Sequence, residues 1–363
     1  VEKALRLIAA GQLPSGFVPS RYPSRLPQEI PLYTPFFIGM VTDYARWRGG
    51  TLPRELFPTV LRCAEAFEPF RNRYGLVEFH RGWNFVDWVP EWKMGTPPHG
   101  DDGVSGLVNA HVLYGFRECA DLCGLLGEKE LEAQWRQRLA DSMQLFIETF
   151  WDESAGAFRN SADDPLLSEH QQILALLTDA LPDAVRNRCA RTLCSGALPI
   201  RTTSYFDFYL FEAYALLGRG DLLLRRLEET FGQEKLGLMT MPEQPEPSRS
   251  DCHAWSAHPL YHCWVTLLGV RPAGFGFREV EIRIPDGAPE SMCGSVVHPD
   301  GGSVEVVYTA EEFRIRLPDG LSGALRLPGG EVRKLHEGLN CIPRKNPADV
   351  VSVSLTTPFS GIH

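Results

Sequence analysis

Apolar residues recur at spacings of three and four along the first three-quarters of the chain, the period of a helix that buries one face. Ala4, Leu5, Ile8 and Ala9 predict a first helix that Gly11 ends. A loop carrying Pro14, Pro19, Pro23, Pro27 and Pro31 follows. Thr34-Pro35 then reads as a helix start, with a capping hydroxyl and a proline in the first turn. Phe37, Val41 and Tyr44 share one face of that helix, and Gly49-Gly50 stops it. Leu56, Val60, Cys63 and Phe67 mark the next, over 53–70. After an irregular stretch over 72–105 come two long helices, 107–126 and 129–150, and shorter ones near 167–180, 183–194, 204–217, 221–231 and 255–268. That is about ten helices in hairpin-like pairs, with no strands alternating among them, which suggests a toroid or a solenoid.

The period changes to two from Phe277. Val280, Ile282 and Ile284 alternate with polar residues, as do Val304, Val306 and Tyr308; Phe313, Ile315 and Leu317; Leu325 and Leu327; and Val351, Val353 and Leu355. Asp-Gly and Gly-Gly pairs punctuate them as turns. An antiparallel β-sandwich of about eight strands is expected. The chain therefore divides into a mainly α domain over 1–271 and a small β-sandwich over 272–363, with the boundary in the Gly- and Pro-rich stretch 269–277.

Composition narrows the function. The net charge of −10 and the pI near 5.5 argue against a nucleic-acid partner. No apolar run is long enough to span a membrane. The nine cysteines are odd in number and scattered, which reads as free thiols in a reducing compartment and tilts the expected location towards the cytoplasm. No Cys/His spacing completes a zinc site, and no phosphate loop, dinucleotide fingerprint or serine-nucleophile elbow occurs, so neither metal nor cofactor is expected. The chain starts at Val1 inside a helical pattern, and the expectation is a fragment of a longer protein.

The richest chemistry lies in the run from Leu238 to Pro259. Pro242, Pro245 and Pro247 forbid a helix and stiffen a loop that carries Glu243, Glu246, Arg249, Asp251 and His253. Trp255 comes next, where a helix begins. Carboxylates can hydrogen-bond sugar hydroxyls or move protons, and an indole can cover a pyranose face. The same loop can also be a solvated surface connection. Two tryptophans in the segment Trp83-Asn84-Phe85-Val86-Asp87-Trp88 are either sugar platforms or fillers that hold the long irregular stretch.

These residues carry a resemblance. Met-Pro-Glu at 241–243, followed by Ser-Arg-Ser-Asp-Cys-His-Ala-Trp-Ser-Ala from 248, resembles the C-terminal catalytic segment of bacterial α-L-rhamnosidases. Pro14-Ser15-Gly16, the run Pro19 to Ser24, the 83–88 segment, Ser168-Glu169-His170-Gln171, the run Ser204 to Tyr209 and Leu268-Gly269-Val270-Arg271-Pro272 are similar to landmarks of that family in the same order. The resemblance implies an (α/α)6 toroid followed by a β-sandwich, here without its first helices, and inverting hydrolysis of terminal α-L-rhamnose from a carbohydrate substrate. It implies Glu243 as the general base, with Glu246 or Asp87 as the alternatives. It implies Asp87 and Trp88 as sugar contacts, and His253 as a contact to the sugar or a support for the base. Trp83, His170, Tyr205 and Trp255 join the expected sugar-binding set. The family's general acid lies in an acidic segment upstream of the first helix seen here, and no such segment is present in this sequence. The alternatives are a toroid glycosidase for another sugar, a non-catalytic sugar-binding module and a helical scaffold for protein partners.

Overall fold

The computed structural model describes residues 1–78, 82–98, 103–231, 237–327 and 330–344. Ten α-helices appear among them: α1 (Glu2–Ala10), α2 (Tyr33–Trp47), α3 (Leu52–Glu65), α4 (Gly106–Leu126), α5 (Lys129–Phe150), α6 (Glu169–Leu177), α7 (Asp183–Ser195), α8 (Asp207–Leu216), α9 (Gly220–Phe231) and α10 (Pro259–His262). A two-rung hairpin of β1 (Trp151–Asp152) and β2 (Ala157–Phe158) stands between α5 and α6.

Burial sorts the helices into two layers. α4 and α6 are apolar or closely packed almost all round, and eight of the nine residues of α6 are buried. α5 and α7 bury a single stripe, in α7 only Cys189 and Leu193. A helix buried on every side belongs inside, and a helix with one buried stripe lies outside it. Consistently, α2, α4, α6 and α8 pack on one another in order, while α3, α5, α7 and α9 each cover an inner neighbour. This is the arc of a helical toroid, with the N-termini of the inner helices gathered at one end. Ser105 caps α4 by accepting from the Val108 amide at 3.4 Å, and Gly127 ends it at φ 78°, a left-handed conformation that costs glycine nothing.

Several helix boundaries differ from expectation; the helix expected over 53–70, for one, ends at Glu65 and is followed by a separate 3-10 turn at Glu68–Phe70. Thr34 does not cap α2, which already starts at Tyr33; its buried hydroxyl instead accepts from the Val18 amide at 3.2 Å and pins the proline-rich loop. The helix expected over 255–268 is broken into a 3-10 turn at Ala254–Ser256, the short α10 and a π turn at Cys263–Leu267. Pro259 cannot donate, so the helix starts afresh there.

The C-terminal strands are β3 (Val270–Ala273), β4 (Glu279–Arg283), β5 (Met292–Val297), β6 (Ser303–Tyr308), β7 (Glu312–Leu317), β8 (Ser322–Arg326), β9 (Val332–Leu335) and β10 (Gly338–Pro343). They form two four-stranded sheets, ordered β10-β7-β6-β5 and β3-β4-β8-β9. Every pair is antiparallel except β4 with β8, which run parallel and correct the wholly antiparallel expectation. Alternate residues of β6 and β7 point inward, and Val304, Val306, Tyr308, Phe313, Ile315 and Leu317 meet Val270, Val280, Ile282 and Leu325 in the sandwich core. The strand expected at Val351, Val353 and Leu355 lies outside the described residues. The apolar cores change over between Leu267, in the helical core, and Leu268, in the sandwich core. Trp47 of α2 spans the seam, its ring 5.2 Å from that of Phe277.

Candidate active site

The loop that comes after α9 folds back on itself through its own backbone. The Glu243 amide donates to the Ser250 carbonyl at 2.8 Å, and the His253 amide donates to the Met241 carbonyl at 2.8 Å. The buried Ser256 hydroxyl donates to the Pro242 carbonyl at 2.7 Å, and the Trp255 indole N–H donates to the Glu243 carbonyl at 2.9 Å. Prolines limit the conformations of this loop, and these bonds select one. Glu243 is the product: only 5% exposed, at the N-terminal end of the inner layer.

Around it stands a ring of aromatic side chains from four segments. Phe85 lies 5.0 Å from Trp88, 5.2 Å from Trp83 and 6.2 Å from Trp255, with which it is nearly parallel. Tyr205 lies 4.8 Å from Trp255 and 6.1 Å from Tyr33, and the His253 ring lies 4.5 Å from Trp255. Trp83, Trp88, Tyr205, His253 and Trp255 all keep part of their surface in solvent. Such surfaces suit a ligand with apolar faces and polar edges. Burial, together with the Asp87 and Glu243 carboxylates, pushes the Tyr33 phenol up from its ordinary value. Burial does the same to Tyr205. Both phenols therefore stay protonated and able to donate.

Asp87 and His170 sit below this ring. Both are wholly buried, and the His170 Nε2 stands 2.8 Å from the Asp87 Oδ2. Asp87 also accepts from the Thr203 amide at 2.7 Å, from the Thr203 hydroxyl, and from the Trp88 amide at 2.9 Å. Four protein donors thus surround the carboxylate, which has no surface in solvent. The expected contact from Asp87 to sugar hydroxyls is not what this geometry provides. Asp87 ties the 83–98 stretch to the starts of α6 and α8, and so sets where Trp88 stands. His170 likewise supports the floor, between the Trp92 ring at 4.8 Å and the Phe206 ring at 4.7 Å.

Sequence reasoning assigned no role to Tyr33, Phe85, Thr203 or Arg249. Arg249 lay inside the quoted run, and only the fold shows what it touches. Its guanidinium clasps the Glu243 carboxylate through both oxygens, with Nε 3.2 Å from Oε2, while its Cζ lies 4.6 Å above the Trp88 ring. Its side chain is 59% exposed. Glu246, the alternative base, is exposed and accepts from the Ser248 amide within its own loop. Among the described residues no group of three or more His, Cys, Asp or Glu side chains is arranged to hold a metal.

The model for the bacterial alpha-L-rhamnosidase 6 hairpin glycosidase domain matches residues 1–197, more than half of the chain. The chain belongs to this rhamnosidase family. The match ends ahead of the Glu243 loop. Solved rhamnosidases share the fold. The glycoside hydrolase family 78 rhamnosidase of Bacillus sp. GL1 superposes with a TM-score of 0.79 at 23% identity, over 91% of this chain and 36% of its own. The Aspergillus terreus enzyme gives 0.76 at 16%, over 95% and 43%. The Streptomyces avermitilis α-L-rhamnosidase, solved with L-rhamnose, gives 0.69 at 16%, over 94% and 36%. The chain thus spans well under half of each of these relatives. No curated protein matches it.

Proposed function

We propose that this chain carries the base side of an inverting glycosidase site that hydrolyses terminal, non-reducing α-L-rhamnose. The observation behind the reading is a nearly enclosed Glu243 carboxylate inside a partly exposed aromatic ring, in a chain of the rhamnosidase family. An inverting glycosidase needs a carboxylate that takes a proton from a water on the far side of the sugar from the leaving group. Glu243 has that role here. Trp83, Trp88 and Trp255 cover the apolar faces of the sugar, and Tyr205 and His253 address its hydroxyls. Asp87 and His170 act at one remove, by holding Trp88 and the floor. The N-termini of the inner helices point their positive ends at the site, which favours a carboxylate there. The general acid is not assigned to a residue of this chain.

One observation favours a second reading. Both Glu243 oxygens are engaged by Arg249, which occupies lone pairs that a base would turn towards water. In that reading the site binds rhamnose without turning it over. An aryl glycoside panel separates the two. A nitrophenolate leaves without protonation, so p-nitrophenyl α-L-rhamnoside tests the base even where acid assistance is missing. Release of nitrophenol from the rhamnoside alone, with the β-anomer of rhamnose formed first by proton NMR, is expected. Turnover of a different aryl glycoside would keep the fold and overturn the sugar. Rhamnose binding with no turnover would establish the second reading.

A further inference from the structure

The inner layer has a second end, away from Glu243. There α2, α6 and α8 finish at Trp47, Leu177 and Leu216, beside the π turn. Strands β3 and β4 lie across the opening, and a cavity of about 380 Å³ remains between helices and sheet. Phe36 stacked on Tyr209, with centroids 4.2 Å apart, closes it off from the aromatic ring above. The volume equals that of about a dozen waters, enough for one monosaccharide ring with several waters beside it.

The walls hold many charges, and most of them are paired. Arg46 is paired with Asp43 at 3.0 Å and Glu118 at 3.5 Å, and it bonds Asp121 as well. Arg117 bonds Glu118 and lies 3.2 Å from Asp121. Arg271 grips Glu212 at 2.9 and 3.2 Å, and Glu281 is paired with Arg326 at 2.8 Å. Asp179 and the exposed Arg283 stand at the rim. An ion entering the cavity would have to break one of these pairs, so an ionic ligand is disfavoured. Apart from Arg283 at the rim, the uncommitted groups are neutral. Tyr114 and Tyr209 line the cavity and are 8% and 9% exposed. Among the described residues neither hydroxyl has a protein hydrogen-bond partner. Both hydroxyls open onto the cavity rather than being sealed from solvent, and so stand free to bond water or a ligand. Phe208 and Tyr261 add apolar ring faces, 5.9 Å apart.

We propose that this cavity is a second carbohydrate site, distinct from the Glu243 site, that takes one neutral sugar ring. Tyr114 and Tyr209 supply its hydrogen bonds, and Phe208 and Tyr261 its apolar walls. The site stands whether or not Glu243 is a base.

Methyl NMR of the chain tests it, with L-rhamnose, D-glucose and glycerol as probes. Val265 and Leu177 report on this cavity, and Met241 on the Glu243 loop. Either sugar is expected to shift the Val265 and Leu177 signals saturably, with a Kd in the range of about 1–10 mM. Tyr114→Phe with Tyr209→Phe is expected to weaken that binding at least tenfold and leave the Met241 response unchanged. Ala215→Phe, which fills the cavity and removes no contact, is expected to abolish the same shifts; it guards against a folding defect in the first variant. Three results would overturn the proposal: no saturable shift at about 100 mM sugar, unaltered affinity in both variants, or glycerol binding as tightly as the sugars. Failure of the Glu243 site is separate: loss of rhamnose binding there would silence Met241, and loss of turnover alone would leave both responses, while Val265 responds in either case.

Discussion

Replacing Asp87 with asparagine tests the floor of the site. Asp87 accepts four hydrogen bonds with no exposure to water. Hydrogen bonds to a charged group contribute about 1.5–3 kcal/mol each, and buried donors left unpaired cost about 1–3 kcal/mol. Asparagine keeps one acceptor oxygen and turns an NH2 group towards donors on the other side. Two of the four bonds are lost and two donors face a donor. Part of that loss is offset because a buried charge no longer has to be desolvated. A net destabilisation of about 2–4 kcal/mol is expected, a sizeable share of ordinary domain stability. Thr203→Val removes one donor with little change of shape and should cost about 1–2 kcal/mol. Since both act on one network, the double variant should cost about 1 kcal/mol less than the sum. Urea unfolding followed by tryptophan fluorescence is a direct assay, because Trp83, Trp88 and Trp92 lie on the stretch that Asp87 secures. Additive effects, or an Asp87→Asn variant as stable as the parent, would refute the network and return Asp87 to the role of a direct sugar contact.

Three further outcomes are expected in other parts of the molecule. Arg226 of α9 is buried against Asp207 and the Thr202 carbonyl, with Glu169 nearby, so Arg226→Leu strands two carboxylates and should cost about 3–5 kcal/mol in urea unfolding. Burial holds the His111 imidazole at about 4, below its ordinary 6.5; its contribution is complete above pH 6.5 and is lost as pH falls towards 4. That loss amounts to about 3 kcal/mol, and His111→Leu should flatten the melting temperature over this window. Gly269, at the seam, has φ 75°, and a Cβ there would meet the Arg283 carbonyl oxygen at 2.3 Å; Gly269→Ala should lower the thermal midpoint by several degrees, whereas alanine at Gly237, which has open space, should do far less.

The layers were legible because helix and strand periods are local. The inner and outer helices differ in how much of their circumference is apolar, and β4, β6 and β7 alternate cleanly. Short or irregular strands such as β3 and β9 carry too few residues to show a period, and the parallel partner of β4 depends on chain topology, which no local pattern encodes. At the site, the types of Glu243, Trp88 and Trp255 suggested a sugar, and the structure brings them together. Types alone could not separate a carboxylate that faces a ligand from one enclosed by four donors. Asp87 is a carboxylate of the second kind in this structure. Arg249 was passed over because its partners, Glu243 and Trp88, lie six residues away and on a distant loop.

The most direct measurement is turnover of p-nitrophenyl α-L-rhamnoside by the protein and by its Glu243→Gln variant, alongside rhamnose affinity by NMR. The base reading predicts a kcat lower by at least about a hundredfold with rhamnose affinity nearly unchanged. An equally active Glu243→Gln variant would contradict it and move the base to another carboxylate.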